Sequence, residues 1–333
     1  MRALVVSKPG SWSVTDVPEP KAGPNDIVVA PKAVGICGSD LHILAGEFPP
    51  TPYPIIPGHE FAGVVVEVGD EVEGVVVGER VAVDPSLFCG ICRFCRAGRG
   101  NLCDNWGAIG DTTSGAFAEL VAVPHQNAYK IPESMSFSAG ALVEPMSCVV
   151  HGIHRLSIRA GSDLLVVGGG TIGLMLLQTA RRSGAARVDV VDIDDSRCAR
   201  ARDFGADGTA NSVEDAIALR GQRYEYVIDA SGVPEATAEA FKGLDKGGTF
   251  LIFGVAPEDG RIALSPFAMY NNEYSILGSM AVLSSFEPAL KMLAAKTVDV
   301  EAMVTHQYPL EEFDRALDTM KSREGLKIQI GMN

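Results

Sequence analysis

The stretch Leu164-Leu165-Val166-Val167-Gly168-Gly169-Gly170-Thr171-Ile172-Gly173 decides the fold of half of this chain. Its apolar residues predict a buried strand, its glycines predict a tight turn, and the residues that follow predict a helix. Glycine permits the turn, lets the backbone approach a pyrophosphate and lets helix and strand pack closely, while the helix N-terminus offers free N–H groups to phosphates. We therefore assign Gly168, Gly170, Thr171, Ile172 and Gly173 to a dinucleotide site.

The residues after this motif alternate regularly between apolar runs and stretches of helical pattern. The apolar runs, each predicted to be a strand, are Leu164 to Val167, Val188 to Val191, Tyr226 to Asp229 and Phe250 to Phe253. Strands that alternate with helices form a parallel sheet with helices on both faces. This part of the chain is therefore predicted to be an α/β domain with a Rossmann, doubly wound parallel sheet.

Asp192 ends the second of these strands and indicates which dinucleotide is bound. It lies 19 residues beyond Gly173 (192 − 173), where a carboxylate can accept hydrogen bonds from the ribose diol of an adenosine. A carboxylate there repels a 2′-phosphate, so we expect NAD rather than NADP. Arg197 is assigned to the same site. The alternative, a plain strand–helix turn with a solvated acid, is disfavoured because position, spacing and context agree.

Residues 1 to about 150 have a different pattern, in which short β-branched runs are broken by glycine and proline. The runs are Ile27 to Ala30, Phe61 to Val68, Val75 to Val77, Arg80 to Val83 and Ala118 to Val123. This pattern predicts an all-β, barrel-like domain. The last fifty residues or so contain two helical patterns, Phe286 to Ala295 and Leu310 to Met320, and a final strand, Lys327 to Ile330. These elements could extend the second domain or return to the first.

Length, composition and charge limit the class of protein. Single hydrophobic cores stop growing near roughly 250 residues, so 333 residues predict two domains. The formal net charge of −14 argues against nucleic acid as a partner, because phosphate binding needs clustered basic residues. The N-terminus lacks a signal-peptide pattern, and no apolar run approaches the roughly 18 residues of a membrane helix. We therefore expect a cytoplasmic protein without membrane contact.

Four of the seven cysteines form one cluster, in which Cys89, Cys92, Cys95 and Cys103 lie within fifteen residues. An odd, clustered set of cysteines indicates metal binding rather than disulfides. Four thiolates complete a tetrahedron around Zn²⁺ and leave no position for water or substrate. This zinc is therefore predicted to be structural.

A second set of candidate ligands is dispersed along the first domain. It consists of Gly35 to His42 with Cys37 inside it, the segment Pro57-Gly58-His59-Glu60, and the segment Val143-Glu144-Pro145. A thiolate, an imidazole and carboxylates are the mixture that a catalytic zinc uses when one position must stay exchangeable. Each residue alone is more often structural, so this prediction depends on their joint occurrence with the other motifs.

The order of these motifs resembles that of the medium-chain zinc-dependent alcohol dehydrogenases over essentially the whole chain. The resemblance implies that Cys37, His59 and Glu60 bind the catalytic zinc, with Asp40 supporting them. It implies that Ser39 and His42 relay a proton to solvent. It also implies a GroES-like catalytic domain of residues 1–147 and 281–333 with both zinc sites, and a Rossmann NAD-binding domain of residues 148–280.

The segment Leu142 to Ser147 is similar to the sorbitol and polyol dehydrogenase branch of that family. Glu144 stands where simple alcohol dehydrogenases have a second cysteine ligand. Zinc with Cys37 and Glu60 ionised has a local charge of zero (+2 − 1 − 1), and Glu144 makes it −1, which weakens the Lewis acid. We therefore expect Glu144 or Glu60 to give way to water or substrate, with the resting ligand left open.

The resemblance implies oxidation of a secondary hydroxyl group of a polyol to a ketone. Zinc would lower the pKa of the hydroxyl group, Ser39 would pass the proton toward His42, and the nicotinamide would accept the hydride. The proline-containing loop from Glu47 to Tyr53 is a candidate lid. Alternatives are a threonine-type or a cyclitol or aminocyclitol dehydrogenase and, in another class, a zinc-stabilised NAD-binding sensor without turnover. We expect a homodimer or homotetramer, in which the apolar run Ile276 to Val282 could pair across a two-fold axis.

Overall fold

A computed structural model describes residues 1–48 and 51–332 of the chain. Pro49 and Pro50, in the middle of the candidate lid, lie outside the described residues, so the lid stays a prediction. The chain forms two compact units: the first contains Met1–Ser147 together with Val282–Asn333, and the second contains Cys148–Ala281. The C-terminal segment thus returns to the first unit.

The strands of the described residues follow in chain order. They are β1 (Arg2–Lys8), β2 (Ser11–Asp16), β3 (Asp26–Gly35), β4 (Glu60–Val68), β5 (Arg80–Val83), β6 (Ser86–Leu87), β7 (Gly107–Ala108), β8 (Val121–Pro124), β9 (Ala128–Lys130), β10 (Asp163–Val167), β11 (Arg187–Val191), β12 (Gly208–Ala210), β13 (Tyr224–Asp229), β14 (Leu244–Ile252), β15 (Ser275–Gly278), β16 (Val304–Pro309) and β17 (Lys327–Gly331).

The α-helices are given in the same order. They are α1 (Gly38–Ala45), α2 (Arg93–Arg96), α3 (Phe137–Ala141), α4 (Val143–Leu156), α5 (Thr171–Arg182), α6 (Asp195–Asp203), α7 (Val213–Arg220), α8 (Pro234–Phe241), α9 (Pro266–Asn272), α10 (Phe286–Ala294) and α11 (Phe313–Ser322). Short 3₁₀ turns occupy Gly100–Leu102, His125–Asn127, Glu301–Met303 and Leu310–Glu312.

The second unit is built on one sheet with the strand order β12-β11-β10-β13-β14-β15. All of its pairings are parallel. The apolar residues of β10 from Leu164 to Val167 are buried, as expected for a strand covered on both faces. Numbered from β10, the order is 3-2-1-4-5-6, which is the order of the Rossmann fold. Ligands of such sheets bind beyond the carboxyl ends of the strands where the order reverses, between β10 and β13.

The first unit is built on a sheet with the order β16-β17-β3-β4-β5-β9, in which β3 also pairs with β8. The pairings are antiparallel except for β16 with β17. Apolar side chains of β3, β4, β5, β17 and α11 share one buried core. β17, near the end of the chain, pairs directly with β3, so the C-terminal segment completes this sheet. The predicted fold class, a Rossmann domain together with an all-β, GroES-like domain, is confirmed by these two sheets.

The strand predicted from Ile276 to Val282 is shorter in the structure, where β15 ends at Gly278, and another predicted strand is absent. Val75 to Val77 form no strand, and the side chains of Val76 and Val77 are 60% and 61% exposed. The run lies between Gly74 and Gly78, which both have positive φ, and Glu79 N–H donates to Val76 O to close a turn. The turns on both sides leave only three residues between them, which are too few to form a strand here.

None of the α-helices in the described part of the chain is a candidate membrane span. Each is too short, or insufficiently apolar, to cross a bilayer.

Candidate active site and cofactor site

Cys37, His59 and Glu60 come together in the first unit. Cys37 is the residue before the first turn of α1, His59 directly precedes β4, and Glu60 begins that strand. β3 pairs with β4 as far as Gly35, which lies opposite Glu60. This pairing brings the segment that contains Cys37 beside the segment that contains His59 and Glu60. The ligand atoms of the three residues lie within 4.8 Å of one another. Zinc bonds to sulfur, nitrogen and oxygen are about 2.0–2.3 Å long, so one ion fits this set of donors.

The imidazole of His59 has carboxylates on one side and a hydroxyl group on the other. Its Nδ1 lies 3.7 Å from Asp40 Oδ1 and 3.9 Å from Asp111 Oδ1. Its Nε2 lies 3.3 Å from Ser39 Oγ. Burial alone would lower the pKa of His59, but Asp40, Cys37 and Asp111 raise that pKa well above its usual value. The negative groups around the ring therefore favour its protonated form.

Asp40 is fully buried in the first turn of α1. Cys37 N–H donates to Asp40 Oδ2 over 2.8 Å, which closes the start of the helix around the cysteine. Burial raises the pKa of Asp40 to about 6, against the opposing effects of His59 and the Cys37 N–H. The helix start thus orients Cys37, while the other oxygen of Asp40 faces His59.

A buried lysine, Lys327, neutralises one of the candidate ligands. Lys327 lies at the start of β17, its Nζ forms an ion pair with Glu60 Oε2, and it donates to Ile36 O over 2.9 Å. Burial alone would lower the pKa of Lys327, but Glu60, Cys37 and Glu144 raise it, so the ammonium stays charged. The ion pair offsets the cost of burying the Glu60 carboxylate.

Glu144 is buried in the first turn of α4, and its charge acts on Lys327. Its carboxylate does not belong to the close group of ligand atoms formed by Cys37, His59 and Glu60 in the described residues. The role of Glu144 as a zinc ligand therefore stays a prediction.

Ser39 and His42 both lie on α1, three residues apart and thus on one face of the helix. Ser39 Oγ contacts the His59 imidazole, as described above. The His42 imidazole is 41% exposed, and its Nδ1 lies 2.8 Å from Glu47 Oε2. Ser39 thus contacts a candidate zinc ligand and His42 is exposed to solvent, while the relay between them stays a prediction.

The four clustered cysteines surround a common centre in the first unit. The Sγ–Sγ separations are 3.5 Å for Cys92 with Cys95, 3.9 Å for Cys92 with Cys103, and 3.5 Å for Cys103 with Cys89. A zinc tetrahedron with Zn–S bonds of about 2.3 Å has sulfur atoms about 3.8 Å apart, so the set fits this ion. Backbone N–H groups of Cys95 and Asp104 lower the pKa of Cys92 to about 6, which favours the thiolate that binds metal.

The glycine motif joins β10 to α5 at the reversal of strand order in the second unit. Gly168 turns the chain with φ +108°, Gly170 directly precedes the helix, and Thr171 begins it, followed by Ile172. A Cβ at Gly173 would lie 1.8 Å from Gly168 O, so only glycine fits there. A Cβ at Gly170 would meet no atom within 4 Å, which leaves space for a phosphate at the helix N-terminus.

Asp192 follows β11 and lies beside this turn. Its Oδ2 accepts a hydrogen bond from Gly169 N–H over 2.7 Å, and its Oδ1 accepts one from Asp194 N–H over 3.0 Å. Arg197 Nη1 lies 3.5 Å from Asp192 Oδ2. The residues assigned to the dinucleotide site are thus brought together, and their donors and open space fit a pyrophosphate and a ribose diol.

Three residues at these sites have roles that the sequence patterns did not indicate. Lys327 is the one charged residue of β17, and this charge beside the apolar Ile328 was a signal that could have identified it. Asp111 lies in a loop, and Glu47 is an ordinary exposed acid. Nothing in the residues around these two indicates a contact with His59 or His42.

Comparisons with known proteins agree with this geometry. Residues 23–133 match the family described as alcohol dehydrogenase GroES-like domain, and residues 171–295 match the family described as zinc-binding dehydrogenase. D-arabinitol dehydrogenase 1 of Uromyces fabae is 34% identical over 342 residues, which cover 100% of this chain and 97% of that protein. L-threonine 3-dehydrogenase of Pseudoalteromonas translucida is 33% identical over 341 residues, with 98% of each chain covered.

Among solved structures, a zinc-binding dehydrogenase of Sinorhizobium meliloti bound to NADP superimposes with a TM-score of 0.94. It is 34% identical, and the match covers 99% of this chain and 98% of that chain. The predictions of a zinc-dependent enzyme and of a nicotinamide cofactor are confirmed by these similarities. The chain belongs to the medium-chain, zinc-dependent alcohol dehydrogenase family.

Proposed function

We propose that this protein oxidises a secondary hydroxyl group of a polyol to a ketone, with NAD as hydride acceptor and zinc as the catalytic metal. The observation that carries the proposal is the convergence of Cys37, His59 and Glu60 within 4.8 Å, in a first unit that also buries Glu144. The similarity to D-arabinitol dehydrogenase supports a polyol as substrate.

Three groups of residues would have separate roles in the reaction. Cys37, His59 and Glu60 would hold zinc, which supplies Lewis acidity toward a hydroxyl group. Ser39 accepts the proton of that hydroxyl group and passes it toward His42, whose exposed ring releases it to water. Gly168 to Gly173 with Asp192 and Arg197 would bind NAD, which accepts the hydride from the carbinol carbon.

Glu144 is the feature that favours a polyol over a simple alcohol. A carboxylate at this position is a weaker and more exchangeable zinc ligand than a thiolate. A substrate that displaced it would have room for two adjacent hydroxyl groups, which a vicinal diol supplies. Two-point binding orients the carbinol carbon and reduces the freedom lost on reaching the transition state.

A second candidate function is oxidation of an amino alcohol, because the similarity to an L-threonine 3-dehydrogenase is almost as high, at 33% against 34% identity. The two candidates share zinc, NAD and a secondary hydroxyl group. They differ in the group beside the carbinol, which is a hydroxyl group in a polyol and an ammonium group in threonine.

Assembly, location and domain roles belong to the same proposal. β15 is the last strand of its sheet, and it pairs with β14 along one edge within the described residues. A second copy of the chain could pair with the other edge of β15, which would give a homodimer, or a homotetramer built from dimers.

Cysteines that form no disulfide bonds are typical of cytoplasmic proteins. Residues 1–147 and 281–333 would be the catalytic domain, and residues 148–280 would bind NAD.

Product analysis tests the function directly. Zinc-loaded protein is incubated with NAD and sorbitol, NADH is followed by absorbance, and the ketose is identified by NMR. We expect NADH and ketose in equal amounts, loss of both after removal of zinc by a chelator, and recovery when zinc is returned. A protein that holds zinc and binds NAD, yet forms no NADH from any alcohol, would be the sensor of the alternative class.

A further inference from the structure

Asp111 is a buried carboxylate beside His59 that the proposed reaction does not use. Its side chain is 9% exposed, and its Oδ1 lies 3.9 Å from His59 Nδ1. Within the residues that the structure describes, Asp111 Oδ1, Asp40 Oδ1 and His59 Nδ1 are all buried and have no hydrogen-bond partner. Three buried polar atoms thus face one another, and a buried polar atom is costly unless it is paired.

The loop that holds Asp111 is fixed to the segment that holds His59. Gly115 N–H donates to Ile56 O over 2.6 Å, and the next two N–H groups donate to Gly58 O and Pro57 O over 2.9 Å and 3.0 Å. A Cβ at Gly115 would lie 2.4 Å from Gly58 O, so the two backbones are in direct contact. Asp111 is therefore placed beside His59 by backbone contacts on both segments.

The position of Asp111 determines which nitrogen of His59 is available to a metal. A neutral imidazole has one N–H, and metal-binding histidines almost always donate that N–H to a carboxylate, a backbone carbonyl or water. With Asp40 and Asp111 both facing Nδ1, this is the nitrogen placed to carry the N–H toward a carboxylate. The lone pair is then on Nε2, the nitrogen that contacts Ser39.

The two carboxylates hold the ring from different elements. Asp40 belongs to α1, and its other oxygen already accepts the Cys37 N–H. Asp111 reaches the ring from the loop after β7. A rotation of the ring would move Nδ1 away from both buried carboxylates, so two charges favour the observed orientation where one contact would favour it less.

We propose that Asp111 is a positioning residue for the zinc ligand His59. Together with Asp40 it keeps the ring oriented with Nδ1 toward the two carboxylates, so that Nε2 is the nitrogen left for the metal. This inference rests on the proposed function only in that His59 is taken to be a zinc ligand.

The affinity for zinc tests this role independently of turnover. Asp111→Ala and Asp111→Asn are compared with wild type by chelator competition, which separates the weakly held ion from the ion in the four-cysteine site. The same variants are loaded with Co²⁺, whose visible absorption reports the geometry of its ligands. Asp84→Asn is the matched control, because Asp84 is an aspartate of the same unit whose pKa is also raised by burial and which accepts from Ser86 N–H instead.

We expect Asp111→Ala to weaken the more weakly held zinc by about 10–100-fold, the usual effect of losing such a supporting carboxylate. Asp111→Asn should lose less, because its amide oxygen can still accept from Nδ1–H, and it serves as the test if the alanine variant does not fold. The cobalt absorption should shift in the Asp111 variants, while Asp84→Asn should match wild type in both measurements.

Wild-type zinc affinity and cobalt absorption in the folded Asp111 variants would overturn the proposal, even if the wild type oxidises polyols. If instead Asp111→Ala loses zinc affinity but the wild type forms no NADH from any polyol, the proposed function fails and the role of Asp111 stands. The two claims can therefore fail separately.

Discussion

Lys327 and Glu60 form a buried ion pair that joins the C-terminal strand to the candidate metal site. Their side chains are 7% and 1% exposed, so neither charge is screened by water. The pair explains how a carboxylate can be buried among other acidic groups before any metal binds. It also ties the integrity of the site to a residue near the end of the chain.

Replacing Lys327 by Met should therefore destabilise the protein strongly. The Glu60 carboxylate would be left buried and unpaired, which costs about 3–5 kcal/mol in comparable cases. Lys327→Arg keeps the charge and should lose less. Urea unfolding measures the free energy of each variant, and a Lys327→Met protein as stable as wild type would show that the pair contributes nothing.

Two zinc ions per chain should have separable roles. Cys95→Ser should lower the melting temperature together with the metal content, because the cluster of Cys89, Cys92, Cys95 and Cys103 would lose one of its four thiolates. Cys37→Ser should abolish turnover while the fold is kept. Elemental analysis and thermal unfolding check both variants. One metal ion or fewer per active wild-type chain would contradict the prediction of two zinc sites.

Cofactor preference should depend on Asp192. Its carboxylate accepts from Gly169 N–H, and we expect it also to accept from the ribose diol of NAD. A hydrogen bond to a charged group is worth about 1.5–3 kcal/mol, so Asp192→Ala should reduce the preference for NAD over NADP by roughly ten- to a hundredfold. Asp195→Ala is the control, because the Asp195 carboxylate accepts a hydrogen bond from Asn211 and not from Gly169. A wild type with higher kcat/KM for NADP would contradict this assignment.

The proton relay should be visible in the pH dependence of the rate. Ser39→Ala removes the group that accepts the substrate proton, so kcat should fall more than in His42→Gln, where water can substitute for the exposed ring. The profile should shift in His42→Gln with NAD binding almost unchanged. Glu47→Gln removes the carboxylate whose Oε2 lies 2.8 Å from His42 Nδ1, and it should shift the pH profile by less than His42→Gln does. An unaltered rate and profile in Ser39→Ala would exclude the relay.

Local patterns were sufficient to predict the Rossmann sheet and the four-cysteine cluster. A buried strand, a glycine turn and a helix are contiguous from Leu164 to Ala180, and the four cysteines lie within fifteen residues. The strand predicted at Val75 to Val77 failed for a local reason too, because the turns at Gly74 and Gly78 enclose it.

The surroundings of the candidate catalytic zinc could be predicted only in part. Cys37, His59 and Glu60 were assigned because the family resemblance provided their roles. Asp111 and Lys327 reach the same site from a loop and a strand far away in the sequence, and only the folded chain brings them there. Electrostatic partners of a buried site depend on tertiary contacts, so a single sequence contains no periodic signal for them.

The ratio of kcat/KM between polyols and other alcohols tests the central claim most directly. NADH formation is measured with sorbitol, xylitol, galactitol, ethanol and L-threonine as substrates of the same zinc-loaded preparation. We predict that at least one polyol exceeds both ethanol and L-threonine, because two adjacent hydroxyl groups can bind where Glu144 yields its position. A panel in which L-threonine or ethanol is the best substrate would contradict the polyol assignment and leave the zinc-dependent dehydrogenase in place.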